Sequence, residues 1–193
     1  YKYLSLEPHR FVSLVCGSYV PEGCPEWLSA AKICDARLAI ISRWNRLPGL
    51  SEDNVLDGDF LRHWFERCFE LLSQVHCFDY GIQQLGRVLA SSPEGSDGMW
   101  PVEDVREVIE KYESDALKTG VVVGHISLYG PTVKATYEGG GSERELMQEY
   151  REYAQQMYVR WPKTATVLNL LADVYERIAD IWDRDAEERA DQG

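Results

Sequence analysis

The sequence predicts a mainly α-helical fold. Three observations carry this expectation. Apolar residues recur at a 3.6-residue period through most of the chain, helix-start residues stand ahead of those periodic stretches, and the last quarter reads as two long helices meeting at Trp161-Pro162. The expected architecture is an irregular bundle of six or seven helices, with a short β-hairpin or extended insertion before the last two. The 193 residues are read as a single helical domain, with a possible division at residue 50, that forms part of a longer chain.

From the N-terminus, residues 6–20 suggest a short helix opened by Pro8, with Phe11, Leu14 and Val15 inward. A longer helix is expected over residues 25–46, with Trp27, Leu28, Ala31, Cys34, Leu38, Ile41 and Trp44 on its apolar side; Pro48-Gly49 ends it. Residues 51–58 read as an acidic linker. Asp57 or Asp59 then caps a helix over residues 59–77 that carries Phe60, Trp64, Cys68, Leu71 and Val75. A short helix over residues 80–90 follows, then a loop dense in turn residues (SSPEGSDGMWP). Pro101 is expected to open the next helix, to about residue 117.

Residues 119–137 break the pattern. The run VVVGHISLYGPTVKATY has β-branched residues, alternation and a central Gly130-Pro131, which predicts a hairpin or an extended excursion. Three glycines precede the first of the final helices. A capping box is expected there, with Ser142 as N-cap and Glu145 three residues on, and an apolar side of Leu146, Tyr150, Ala154, Met157 and Trp161. Pro162 opens the last helix, whose stripe is Ala165, Leu168, Leu171, Tyr175, Ala179, Trp182 and Ala186. Trp161 and Trp182 are expected to be buried anchors, each costing about 3–5 kcal/mol on replacement by alanine.

Charge and cysteine usage narrow the function. The net charge is −12. The first fifty residues hold six basic and four acidic side chains, a balance of +2; the rest hold fourteen and twenty-eight, a balance of −14. An acidic surface repels phosphate, so neither nucleic acid nor an anionic membrane is expected as a partner. The expected partner is a protein, or neighbouring domains of the same chain. The five cysteines make no C-x-x-C pair, and most sit on apolar helix faces, which suits reduced, buried thiols and a cytoplasmic setting. No apolar run is long enough to span a bilayer.

Catalytic signals are sparse. His9, His63, His76 and His125 fit no zinc-ligand spacing; a set of Cys68, His76 and Cys77 is conceivable, but adjacent residues on a helix point about 100° apart. No nucleophile elbow occurs, and Cys24 with His125 is the nearest approach to a nucleophile and base. Gly120-x-x-x-Gly124 and Gly139-Gly140-Gly141 lack the Lys-Ser/Thr of a phosphate loop. No catalytic residue, metal ligand or cofactor is therefore expected. The candidate binding residues are those of the excursion, His125, Tyr129, Lys134 and Tyr137, because irregular segments on a rigid scaffold carry function more often than helices do. The alternative is an enzyme, or an enzyme's lid, with its site built from residues 121–137 and dispersed cysteines and histidines.

Three stretches together carry a resemblance: QQLGRVLASSPEGSDGMWPVEDVREVIE, EGGGSERELMQEYREYA and RWPKTATVLNLLADVYERIADIWDRDAE. In order and spacing, over about residues 83–187, they resemble a helical region near the C-terminus of large bacterial multidomain proteins of uncharacterised function. The Asp-Gly-x-Trp-Pro loop and the Gly-Gly-x-x-Glu-Arg helix entry are the recognisable pieces. The resemblance implies an accessory or interaction domain beside NTP-dependent or defence-related parts. It supplies no catalytic residue. The stretch Leu128-Tyr129-Gly130-Pro131 departs from the pattern, which has a more polar, basic run there.

Overall fold

A computed structural model describes residues 7–19, 39–41, 43–44, 46–130 and 139–190. They are mainly helical, as the apolar periodicity requires. The chain forms two compact units, Tyr1–Leu128 and Tyr129–Gly193. The candidate boundary at residue 50 falls inside the first.

In the first unit, α1 (Pro8–Cys16) opens on its proline and buries Phe11, Val12 and Val15. Most of the helix expected over residues 25–46 lies outside the described residues; residues 39–41 are helical, and Ile41, Trp44 and Leu47 are buried. Phe11 meets the Trp44 ring at 5.6 Å and the Trp64 ring at 5.1 Å, both edge-on, and this aromatic trio anchors α1. The acidic linker is a closed loop. Leu50 and Leu56 form an isolated antiparallel bridge, and Gly49 takes a positive φ of 83° that a side chain would strain.

Helix α2 (Gly58–Leu72) starts as expected, with Asp57 Oδ1 accepting from the Phe60 N–H at 2.9 Å. It buries Leu61, Trp64, Phe65, Cys68 and Leu72. Helix α3 (Phe78–Leu89) buries Ile82, Leu85, Val88 and Leu89. The helix expected from Pro101 to about residue 117 is instead two: α4 (Glu103–Lys111) and α5 (Asp115–Tyr129), parted at residues 112–114. Ser114 Oγ accepts the Leu117 N–H at 3.2 Å, so a serine supplies the start signal for a new helix. Arg62 on α2 binds Asp104 at 2.6 Å and Glu107 at 2.7 Å on α4, a partly exposed clamp between the two.

Helix α5 corrects the hairpin expectation: residues 119–129 are helical, and residues 131–138 lie outside the described residues. The buried positions are Leu117, Gly120, Val121, Gly124 and His125, one helical face at spacings of three and four. Glycine supplies two of the five. A Cβ on Gly120 would lie 2.0 Å from the Gln83 carbonyl oxygen, and one on Gly86 would lie 2.2 Å from that of Leu117. Close backbone packing of α5 on α3 therefore stabilises a segment whose local composition favours a strand.

The second unit is an antiparallel pair, α6 (Gly141–Met157) and α7 (Pro162–Ala190). The expected capping box at Ser142 is not formed: Gly140 is the N-cap, and the Ser142 hydroxyl donates to Glu143 at 3.3 Å. The Gly140 N–H donates instead to Asp183 Oδ1 on α7 at 2.6 Å. A Cβ on Gly140 would lie 2.4 Å from the Ala179 Cα, so the glycine lets the start of α6 rest on α7. Between the helices lie Tyr150, Ala154, Met157, Ala165, Leu168, Leu171, Ala172, Tyr175 and Ala179, all buried. Trp161 and Trp182 are only half-buried, short of the core burial expected of them. The apolar stripe of α7 outlasts its partner, because residues 184–190 run about 10 Å past the turn that meets Gly140.

Candidate functional site

Of the four residues singled out in the sequence, His125 and Tyr129 lie among the described residues. His125 and Tyr129 lie one turn apart on α5 with different surroundings. His125 is buried, 3% exposed, and its ring meets the Trp100 indole edge-on with centroids 4.7 Å apart. Burial lowers its pKa to about 4, so it is a neutral core residue at pH 7. Tyr129, at the end of α5, is 55% exposed. Lys134 and Tyr137 lie outside the described residues, as does Cys24, the sequence's candidate partner for His125. His76 is exposed while Cys68 and Cys77 are buried, and among the described residues no three metal-ligating side chains converge. Burial alone pushes the Cys68 thiol far above its ordinary range.

Three local arrangements went unread in the sequence. The first is the loop of residues 92–102, built around Arg106. This arginine sits on the apolar face of α4 beside Val105 and Ile109 and is buried. Its guanidinium grips both oxygens of Asp97 at 2.6 and 2.9 Å, and donates to the carbonyls of Pro101 at 2.6 Å and Met99 at 2.7 Å. Asp97 is held below the usual carboxylate range, chiefly by its hydrogen bonds from Arg106. With both carboxylate oxygens engaged, the Asp-Gly-x-Trp-Pro loop is a structural clasp. The signal available was an arginine inside an otherwise apolar stripe.

The second is a charged cleft on the second unit, about 550 Å³, lined by Arg144, Asp180, Asp183, Arg184 and Glu187. Arg144 binds Asp180 at 3.1 Å and also Asp183, while Asp183 receives the Gly140 N–H. One turn or two away, Arg151 binds Glu176 at 2.9 Å. These pairs cross-link α6 and α7 along their outer edge. Exposed pairs of this kind each contribute a few tenths of a kcal/mol to about 1 kcal/mol.

The third is the turn between α6 and α7. Tyr158 is 70% exposed and Val159 is 92% exposed. The Arg160 guanidinium lies over the Trp161 ring, 4.9 Å from its centroid. The turn is held from below: the Trp161 N–H donates to the Met157 carbonyl at 2.7 Å, and the Ala165 N–H to that of Trp161 at 2.8 Å. It is a hydrogen-bonded tip that presents a tyrosine, a valine and an arginine–tryptophan stack. Leu170 and Ile181, farther along α7, are also exposed.

No protein-family model matches the chain, and no curated protein and no solved structure is significantly similar to it. No helix among the described residues is long and apolar enough to cross a membrane.

Proposed function

We propose that the chain is a non-catalytic protein-interaction domain that docks a protein partner, or a neighbouring domain of a longer bacterial chain, through the turn between α6 and α7. The observation that carries this reading is the exposure of Tyr158 and Val159 side by side, next to the Arg160–Trp161 stack. Tyrosine, tryptophan and arginine are the residue types that dominate binding energy at interface centres. The turn is braced at both ends by helices, so ordering it on binding costs little. A chain of net charge −12 offers no basic stripe for phosphate, which favours protein over nucleic acid or an anionic membrane as partner. On this reading the domain needs no cofactor, works in the cytoplasm, and serves as an accessory part of a larger, defence-type protein.

A photo-crosslinking residue placed at Val159 in the full-length protein, and separately at exposed Glu152 on α6, tests this reading in cells. One discrete protein adduct at Val159, lost with Tyr158→Ser, is expected. Equal labelling at both positions, or none at Val159, would overturn it. An anisotropy titration with duplex DNA and single-stranded RNA supplies the second arm, in which salt-sensitive micromolar binding would speak for nucleic acid instead.

A further inference from the structure

Cys16 and Cys77 are sixty-one residues apart in sequence, yet their sulphurs are 2.7 Å apart, closer than two unbonded sulphur atoms ordinarily approach. Cys16 is the last residue of α1 and half-buried; Cys77 is the N-cap of α3 and buried. Both elements are fixed independently of the thiols. The Ser18 and Tyr80 hydroxyls are 3.2 Å apart, the Tyr19 and Tyr80 rings pack at 5.4 Å, and the Phe11 ring is held between two tryptophans. A disulfide would need the sulphurs to close by less than about 1 Å.

We propose that Cys16 and Cys77 form a reversible oxidation site, closing under hydrogen peroxide into an intramolecular disulfide that ties the end of α1 to the start of α3. The more accessible Cys16 reacts first. Its thiolate attacks one peroxide oxygen, the S–O bond forms, the O–O bond breaks, and water leaves after protonation, giving a sulfenic acid. The Cys77 sulphur then attacks the Cys16 sulphur, the S–S bond forms, the S–O bond breaks, and a second water leaves. Two thiols have lost two electrons and two protons, and one peroxide has become two waters. A dithiol reductant reverses the change by exchange. The Cys77 thiol is pushed up to about 12 by burial and by the Cys16 sulphur, so it suits the resolving role better than first attack. The neighbouring Cys68 is buried on α2 and lies outside the pair.

The test is mass spectrometry of the purified chain after limited hydrogen peroxide, without reduction. The expected product has lost the mass of two hydrogens and returns to its starting mass with dithiothreitol. Tryptic peptides carry Cys16 with Cys24 and Cys68 with Cys77, so fragmentation within the linked pair must place the bond between Cys16 and Cys77. The bond should form at least about tenfold faster in folded protein than in denaturant, as expected for groups held in place. Cys16→Ser should abolish it without another pair taking its place. A bond between other cysteines, equal rates in denaturant, or Cys16 oxidised to sulfinic acid beside a free Cys77 would each overturn the proposal.

Discussion

Gly86 on α3 faces Gly120 on α5 so closely that a Cβ on either would lie 2.8 or 2.9 Å from the other's Cα. The obstructing atoms are backbone, which cannot turn aside as a long side chain can. Gly120→Ala should therefore destabilise the first unit despite alanine's better helix propensity. Overpacking costs about 1–3 kcal/mol, and the upper end applies where two main chains must part. Gly141→Ala is the contrasting case: nothing lies within 4 Å, and a gain of about 0.4–1 kcal/mol is expected. Chemical denaturation of the two variants, read for midpoint and slope, distinguishes them.

His125 makes stability depend on pH. Its folded pKa of about 4 lies below the ordinary value of 6.5, so the unfolded chain binds more protons between these limits. Stability is full above pH 6.5 and falls as the pH drops through this window, by about 3 kcal/mol at pH 4. Replacing His125 with phenylalanine, which keeps an aromatic edge toward Trp100, should flatten that part of the curve. Denaturation midpoints across this range would measure it, and a dependence unchanged in the variant would contradict the assignment.

Arg106→Met should destabilise the first unit. It strips four hydrogen bonds from Asp97, Met99 and Pro101 while keeping most of the apolar stem. Arg106 is buried but Asp97 reaches solvent, so no buried charge is left unpaired and the cost is that of lost charge-assisted hydrogen bonds, about 1.5–3 kcal/mol. Hydrogen exchange should quicken over residues 92–102 well beyond any change in α6 and α7.

Along α7, packing ends before the helix does. Met157→Ala removes a side chain only 1% exposed and should cost about 2–5 kcal/mol. Trp182→Ala, at a half-buried position near the far end of the pair, should cost less than the 3–5 kcal/mol of a buried anchor. Thermal melts of the two variants in parallel test the order.

The helices with conventional signals were legible in the sequence. Pro8, Asp57 and Pro162 each start a helix where local chemistry places one, and Trp64, Cys68, Leu168 and Tyr175 fall on the faces that periodicity assigns them. Helix α5 was not legible, because Gly120, Gly124 and three valines in a row read as strand and turn until Gly86 is known to lie opposite. The capping box at Ser142 failed for a related reason. Asp183, more than forty residues away, takes the Gly140 N–H, and no local motif announces a partner at that distance. The four candidate binding residues rest on the hairpin expectation, and the helical course of residues 119–129 buries His125. The tip at Tyr158 and Val159 has no assignment in the sequence, whose apolar stripe passes from Met157 to Trp161. Their exposure follows from Met157 ending α6 four residues before Trp161, the last residue of the expected stripe.

The anchoring of α1 has a consequence in time. This helix is synthesised before the elements it packs on, so its apolar side has no seat until Trp44, Trp64 and the start of α3 exist. The ribosome must add the sixty-one residues from Cys16 to Cys77, which takes roughly 3–12 seconds at 5–20 residues per second. For that interval Phe11, Val12 and Val15 are a sticky nascent segment awaiting its cover, and a pause in translation between α1 and α3 would prolong their exposure to chaperones or to aggregation.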